Sequence, residues 1–196
     1  HTLFTEIRRN CQYLIDLHTG SFSRSNHPQV RVTAKDETAL ELARHFGLGI
    51  VILSEGPNGS IRREAGDIGI PAIIYEAGEP SRFDLDQIAA GVQGIESVMA
   101  YLRMIEGGKQ IEVPESRIYT KTTWVRVPVG AGGYFFPTVA LGQAVSSGDR
   151  LGTIIDPLTD RYTAVTASHS GEVIGLAVAQ IVLSGYALVH LGVQHR

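Results

Sequence analysis

Two patterns of hydrophobic and polar residues follow one another along the chain. In the first half, segments with apolar residues three or four positions apart alternate with short runs of consecutive apolar residues, as in helices between buried strands. The pattern predicts helices at 36–46, with Asp36 as its cap, and 84–105, and strands at 13–15, 48–53 and 71–75. This order predicts an α/β fold with a largely parallel or mixed sheet and helices on its faces.

The predicted helix at 84–105 is the longest element of the chain. Its apolar residues, among them Leu85, Ile88 and Val92, keep a period near 3.6 residues and predict an amphipathic helix. The glycine pair at 107–108 is expected to end it.

The pattern then changes to short strands between glycines. After a polar linker at 109–117, strands are predicted at 122–128, 133–136, 150–155, 162–166, 171–176 and 186–191. This spacing favours a small β-barrel or sandwich, and its rhythm resembles the biotinyl and lipoyl carrier fold. We therefore predict two domains, an α/β domain at 1–108 and a β-rich domain at 117–196.

The strand at 13–15 leads directly into His18, which is followed by small and hydroxylic residues. In open α/β sheets, ligands collect at the carboxyl ends of such strands, so His18 is a candidate site residue. Asp16 lies two positions earlier and points to the same side of a regular strand, where it could fix the tautomer of the imidazole. The alternative is a capped turn that contains a structural histidine.

A second apolar strand leads into Glu76. A carboxylate at the end of a buried strand is desolvated, which suits it to act as a general base near neutral pH. The alternative is that Glu76 is the ion-pair partner of a nearby arginine.

The segments 16–20 (Asp-Leu-His-Thr-Gly), 24–31 (Arg-Ser-Asn-His-Pro-Gln-Val-Arg) and 71–78 resemble the succinylglutamate desuccinylase and aspartoacylase family of zinc hydrolases. The resemblance extends over residues 1–106 and includes the related zinc carboxypeptidases. It implies that His18 is a zinc ligand and that Glu76 activates a metal-bound water. Glu79 is a weaker candidate, because the family motif places its glutamate directly before x-Gly.

The chain departs from the family pattern in one respect. The first two zinc ligands of the family belong to a Gly-x-His-Gly-x-Glu type motif, which is expected upstream of residue 1 and does not occur in this sequence. Residues 1–10 are expected to be the last turns of a helix that precedes the His18 strand. The resemblance therefore implies a fragment with one of three protein ligands, which is expected to be inactive because catalytic zinc needs three. His1, His27 and His45 do not have the spacing of a replacement site.

The resemblance implies hydrolysis of the amide of an N-acyl amino acid or a similar small acylated amine. Arg24 and Arg31 lie in the loop expected after His18 and are candidates for binding a substrate carboxylate, because guanidinium groups match carboxylates at two points. Ion pairs that order the loop are the alternative for both, and Arg62 and Arg63 could do the same work. A different class of function also stays open, a non-catalytic binding or assembly module that retains the pocket.

Composition limits the classes of binding partner and the cellular location that we expect for this protein. A net charge of −3 gives no basic surface for nucleic acid, and no apolar run approaches the ~20 residues that span a bilayer. Cys11 is the single cysteine, which excludes an internal disulfide. We expect a cytoplasmic enzyme with a small-molecule substrate, and self-association through an exposed sheet edge.

Overall fold

A computed structural model describes residues 2–21, 23–106 and 115–193. The chain folds into two compact units. Unit 1 comprises the described parts of His1–His18, Pro28–Glu76 and Phe83–Thr120, and unit 2 those of Thr19–His27, Ala77–Arg82 and Lys121–Arg196. Residues 107–114 lie outside the described residues. They include the glycine pair, most of the predicted linker and most of the predicted boundary between the two domains.

Unit 1 contains the four helices of the described residues. The elements in chain order are α1 (Thr2–Asn10), β1 (Leu14–His18), β2 (Arg24–Val32), α2 (Glu37–His45), β3 (Ile50–Leu53), α3 (Ile61–Asp67), β4 (Ala72–Gly78), α4 (Leu85–Tyr101) and β5 (Arg117–Tyr119). The strand order is β1-β4-β2-β3-β5, and β1 with β4, β2 with β3, and β3 with β5 are parallel pairs. The first residues of β2 and the last two of β4 belong to unit 2.

Helix α2 forms where the sequence predicts it. The Asp36 carboxylate accepts a hydrogen bond of 2.9 Å from the amide of Ala39, as expected of an N-cap residue. Leu42 and Ala43 face the core, and Arg44 and His45 occupy the last turn, where cations interact favourably with the helix dipole.

Helix α4 differs from its prediction in length and in its buried face. It ends at Tyr101 rather than at residue 105, and its buried residues are Gly91, Gly94, Ser97 and Val98. A Cβ atom at Gly91 would lie 2.9 Å from the Tyr75 ring, and one at Gly94 would overlap the buried ring of Phe46. Only glycine allows this close approach, so the small residues turn inward. Leu85, Ile88 and Val92 of the predicted apolar face are exposed, whereas Val98 of the same face is buried.

Two further predictions for this half need correction. The predicted loop around residues 24–31 is strand β2, which obtains its hydrogen bonds by pairing with β3 and other strands. Helix α3 had no counterpart among the predicted elements. β1 is not buried on both faces, because it is the terminal strand in the sheet order and Leu17 is 58% exposed.

Unit 2 consists of antiparallel strands. They are β6 (Thr122–Arg126), β7 (Gly133–Pro137), β8 (Ala144–Val145), β9 (Arg150–Asp156), β10 (Arg161–Thr166), β11 (Gly171–Ala177), β12 (Ile181–Val182) and β13 (Ala187–Val193). In one sheet the first residues of β2 pair with β11, and the order continues from β11 to β13 and β6. A separate sheet has the order β10-β9-β7-β12. The six predicted strands are confirmed, whereas the two-residue strands β8 and β12 were not predicted.

The described residues therefore form a mixed α/β fold with four helices and both parallel and antiparallel strand pairs. The barrel or sandwich geometry of the second half stays a prediction. Within residues 2–21, 23–106 and 115–193, no helix is long and apolar enough to span a membrane.

Candidate functional site

His18 and Asp16 lie on the same side of β1, as their spacing predicts. The His18 Nε2 atom is 2.9 Å from a carboxylate oxygen of Asp16, and the two side chains are 43% and 27% exposed. With Nε2 engaged by the carboxylate, Nδ1 is the ring nitrogen whose lone pair can bind a metal ion. Asp16 thus contacts the imidazole of His18 at Nε2.

Glu76 lies directly opposite His18 in the parallel pair of β1 and β4. Its side chain is 12% exposed, and one carboxylate oxygen lies 3.4 Å from Nη2 of Arg31. The arginine partner that the sequence left open is therefore present. Asp16, His18, Glu76 and Arg31 all belong to unit 1, where they form two neighbouring polar pairs.

Among the arginines and lysines of the described residues, only Arg62 is buried, with 3% of its surface exposed. Its Nη1 donates to the carbonyl of Ser54 at 2.7 Å and to the hydroxyl of Thr33 at 3.2 Å, and its Nη2 donates to the Ser54 hydroxyl. Burial lowers the pKa of Arg62, the charge of Arg31 lowers it further, and Glu55 opposes both.

The surroundings of Arg62 explain why it is a poor candidate for holding substrate. Gly56 has a φ of +74°, and a Cβ atom there would lie 2.9 Å from Nη2 of Arg62. The backbone therefore closes against the guanidinium, which ties the residues after β2 to those after β3. Arg63, the other arginine of this segment, pairs with Asp67 within α3 at 3.3 Å.

The described residues do not by themselves fit a complete zinc site. No three of their histidine, cysteine, aspartate and glutamate side chains come together to hold a metal ion. His45 stacks on Tyr101 with ring centres 3.7 Å apart, His27 belongs to unit 2, and His1 lies outside the described residues. His18 thus offers one ligand, whereas a catalytic zinc takes three from the protein.

Arg24 belongs to unit 2 and begins strand β2 rather than lying in a loop. Its Nε donates to the carbonyl of Ala187 at 3.1 Å and its Nη1 to that of Ser21 at 3.3 Å. Its guanidinium carbon lies 5.0 Å from the ring centre of Trp124 and 4.8 Å from that of Tyr186. The two predicted carboxylate binders, Arg24 and Arg31, therefore have entirely different partners.

Sequence reasoning missed the aromatic partners of Arg24. Trp124 and Tyr186 are 100 and 162 positions away from it in the chain, and nothing in their local patterns points to an arginine. It also missed that Arg62 is buried. No local pattern indicated this burial, because α3 has only seven residues and Arg62 and Ala65 are its only buried side chains.

The sequence matches the family model of the succinylglutamate desuccinylase/aspartoacylase catalytic domain over residues 1–102. This covers half of the chain and includes the strands that carry His18, Arg31 and Glu76. No curated protein matches the sequence.

Solved structures with the same fold include two bacterial proteins. The apo structure of the ectoine utilization protein EutE (DoeB) from Ruegeria pomeroyi has a TM-score of 0.85 at 18% identity, over 97% of this chain and 64% of that one. A succinylglutamate desuccinylase/aspartoacylase from Rhodobacter sphaeroides has a TM-score of 0.84 at 20% identity, over 100% of this chain and 62% of that one. The chain thus spans somewhat less than two thirds of the length of these proteins.

Proposed function

The chain belongs to the succinylglutamate desuccinylase/aspartoacylase family. From this we propose that it is part of a zinc-dependent hydrolase, which cleaves the amide of an N-acyl amino acid or a similar small acylated amine. The observation that carries the proposal is the placement of Glu76 directly opposite His18 on adjacent parallel strands. This brings a candidate base next to a histidine whose Nδ1 is available, with Asp16 holding the ring. The family favours this proposal over a non-catalytic binding module.

In the proposed reaction Glu76 accepts a proton from the attacking water and returns it to the leaving amine. Its low exposure limits competition from bulk water, and Arg31 holds the carboxylate in place. A base in contact with a guanidinium must loosen that contact to take a proton. We therefore assign to Arg31 the control of where the Glu76 carboxylate points, and a carboxylate of the substrate would compete for the same guanidinium.

The proposal places His18 among the zinc ligands, through Nδ1, and assigns the remaining ligands to sequence outside the described residues. It also includes the predicted second domain at 117–196 as a β-rich barrel. Arg24 is the proposed binder of a substrate carboxylate.

Glu76→Gln tests the proposed base, with Glu79→Gln as the matched control. Glu79 lies three residues later and pairs with Arg82 at 2.7 Å in unit 2. In the protein expressed with the sequence that flanks it in its gene, Glu76→Gln should lower kcat on N-acetyl amino acids about 10²- to 10⁴-fold, because that is the typical contribution of a general base. Glu79→Gln should change it less than about threefold.

The rate at which the free amine is released, measured by chromatography, gives the activity of the parent and of both variants. Equal activity of Glu76→Gln and the parent would overturn the role of Glu76, and no hydrolysis by the parent would overturn the proposed function. Circular dichroism of both variants excludes misfolding as the cause of a lost activity.

A further inference from the structure

Planar side chains of unit 2 form one stacked cluster around Arg24. Its guanidinium carbon lies within about 5 Å of two ring centres, those of Trp124 and Tyr186, which is cation–π distance for both. Trp124 in turn stacks on the buried His190, with ring centres 4.3 Å apart and ring planes 4° apart. We call these four residues the Arg24 stack.

Arg24 retains unused hydrogen-bond donors in this arrangement. A guanidinium has five N–H groups, and those of Arg24 make two hydrogen bonds, to the carbonyls of Ala187 and Ser21. None of its nitrogens is among the buried polar atoms that lack a partner. Nη2, which makes neither of these bonds, is therefore accessible, and no carboxylate of the described residues forms an ion pair with this arginine.

We propose that the Arg24 stack is a carboxylate-binding site, in which Trp124 and Tyr186 are positioning residues that hold the guanidinium for two-point contact with the ligand. The inference rests on the proposed function for its choice of ligand, the free carboxylate of an N-acyl amino acid. It goes further in assigning the site a defined set of aromatic residues, far apart in the sequence.

The physical reason is preorganisation. An arginine side chain loses rotamer entropy when it binds, and that loss weakens binding unless the free protein already holds the side chain in place. The two rings and the two backbone carbonyls restrict Arg24 before any ligand arrives. A planar guanidinium also keeps its hydrogen-bonding edge open while its faces contact rings, which a lysine ammonium cannot do.

The strands around the stack are built to accommodate it. A Cβ atom at Gly175 of β11 would lie 3.0 Å from Cβ of His190 and 3.6 Å from the Trp124 ring, so the absent side chain leaves room for both. The register shifts between Val173 and Gly175 in β11, and between Ala187 and Val189 in β13. Such irregularities redirect side chains and are frequent next to functional sites.

Trp124 is the one tryptophan of the chain, so its fluorescence reports on the site directly. The experiment titrates the chain, freed of metal with a chelator, with N-acetylglycine at constant ionic strength. N-acetylglycinamide, which lacks the charge, is the control ligand. We expect a saturable change in emission with the acid and none with the amide.

Two pairs of variants test the assignment. Arg24→Met should abolish the response, and Arg24→Lys, which keeps the charge without the planar fork, should weaken it at least tenfold. Arg126→Met is the matched control, because Arg126 is an exposed arginine of β6 that donates to the carbonyl of Gly185, and it should bind as the parent does.

The second pair separates ring contact from the hydroxyl group of Tyr186. Tyr186→Phe keeps the ring and should bind as the parent does, whereas Tyr186→Leu should weaken binding roughly two- to tenfold, the equivalent of ordering one side chain. Equal affinities for Tyr186→Leu and the parent, or an undiminished response in Arg24→Met, would overturn the proposal. So would a response to the amide as strong as that to the acid.

The outcome is independent of catalysis. Binding at Arg24 without hydrolysis by the flanked protein would overturn the proposed function and leave this site standing. Hydrolysis without a response at Trp124 would overturn the site and leave the proposed function standing.

Discussion

Strand β2 carries one arginine in each unit, and the two arginines are held by different kinds of partner. In unit 1, Arg31 contacts the Glu76 carboxylate at 3.4 Å, and its Nε is buried without a partner among the described residues. In unit 2, Arg24 contacts two rings and two backbone carbonyls and has further N–H groups that these contacts do not use. The same residue type therefore contacts a protein carboxylate in one unit, whereas in the other we propose that it binds the carboxylate of a ligand.

The ion pair of Arg31 and Glu76 in unit 1 is expected to contribute to the stability of the fold. A double-mutant cycle with Arg31→Gln and Glu76→Gln should give a coupling energy of about 1 kcal/mol, since the pair is partly buried but not in ideal geometry. The coupling should decrease in 1 M salt, where charges are strongly screened. Urea unfolding of the four proteins at low and high salt measures it.

Arg63 and Asp67 provide the matched control pair within the same unit. They form an i,i+4 ion pair on α3 and are more exposed, so their coupling should be only ~0.3–0.5 kcal/mol. If the Arg31–Glu76 coupling were no larger than this, the ion pair would not be what distinguishes the unit 1 arginine from Arg24.

A further effect on stability is expected from Tyr75, the neighbour of Glu76 on β4. Burial, with a further contribution from the charge of Asp84, raises the pKa of Tyr75 to about 12, and its hydroxyl donates to the carbonyl of Gln87 at 2.8 Å. A tyrosine in the unfolded chain ionises near pH 10. The stability that the protonated hydroxyl contributes is therefore complete below pH 10 and is lost as the pH rises to about 12.

The comparison for this prediction is Tyr75→Phe. The free energy of unfolding of the parent should fall more steeply between pH 10 and 12 than that of the variant, as measured by urea unfolding at each pH. Parallel curves would show that unit 1 does not protect this hydroxyl.

The sequence predicted those parts of the fold whose signals are local. Asp36 caps α2 as expected, because an N-cap needs only a side chain and an amide three residues later. The six longer strands of unit 2 follow from glycines and apolar runs in their own segments. Asp16 and His18 lie together because residues two apart share one side of a strand.

The rest depends on contacts between distant residues. The rings of Tyr75 and Phe46 leave room only for Gly91 and Gly94 on the inward side of α4. Apolar periodicity therefore identified the buried Val98 but wrongly placed Leu85, Ile88 and Val92 in the core. Arg24 and Arg31 looked equivalent because their partners come from other strands. The ion pair of Glu76 was left open for the same reason, since sequence alone does not show which arginine the fold brings near it.

Zinc content tests the central claim most directly, the claim that His18 contributes to a hydrolytic metal centre. The protein, expressed with the sequence that flanks it in its gene, should contain about one zinc per chain by elemental analysis. His18→Ala should lose the metal, whereas His27→Ala, which changes a histidine of unit 2, should retain it. Undiminished zinc in His18→Ala, or a parent protein without zinc, would contradict the account.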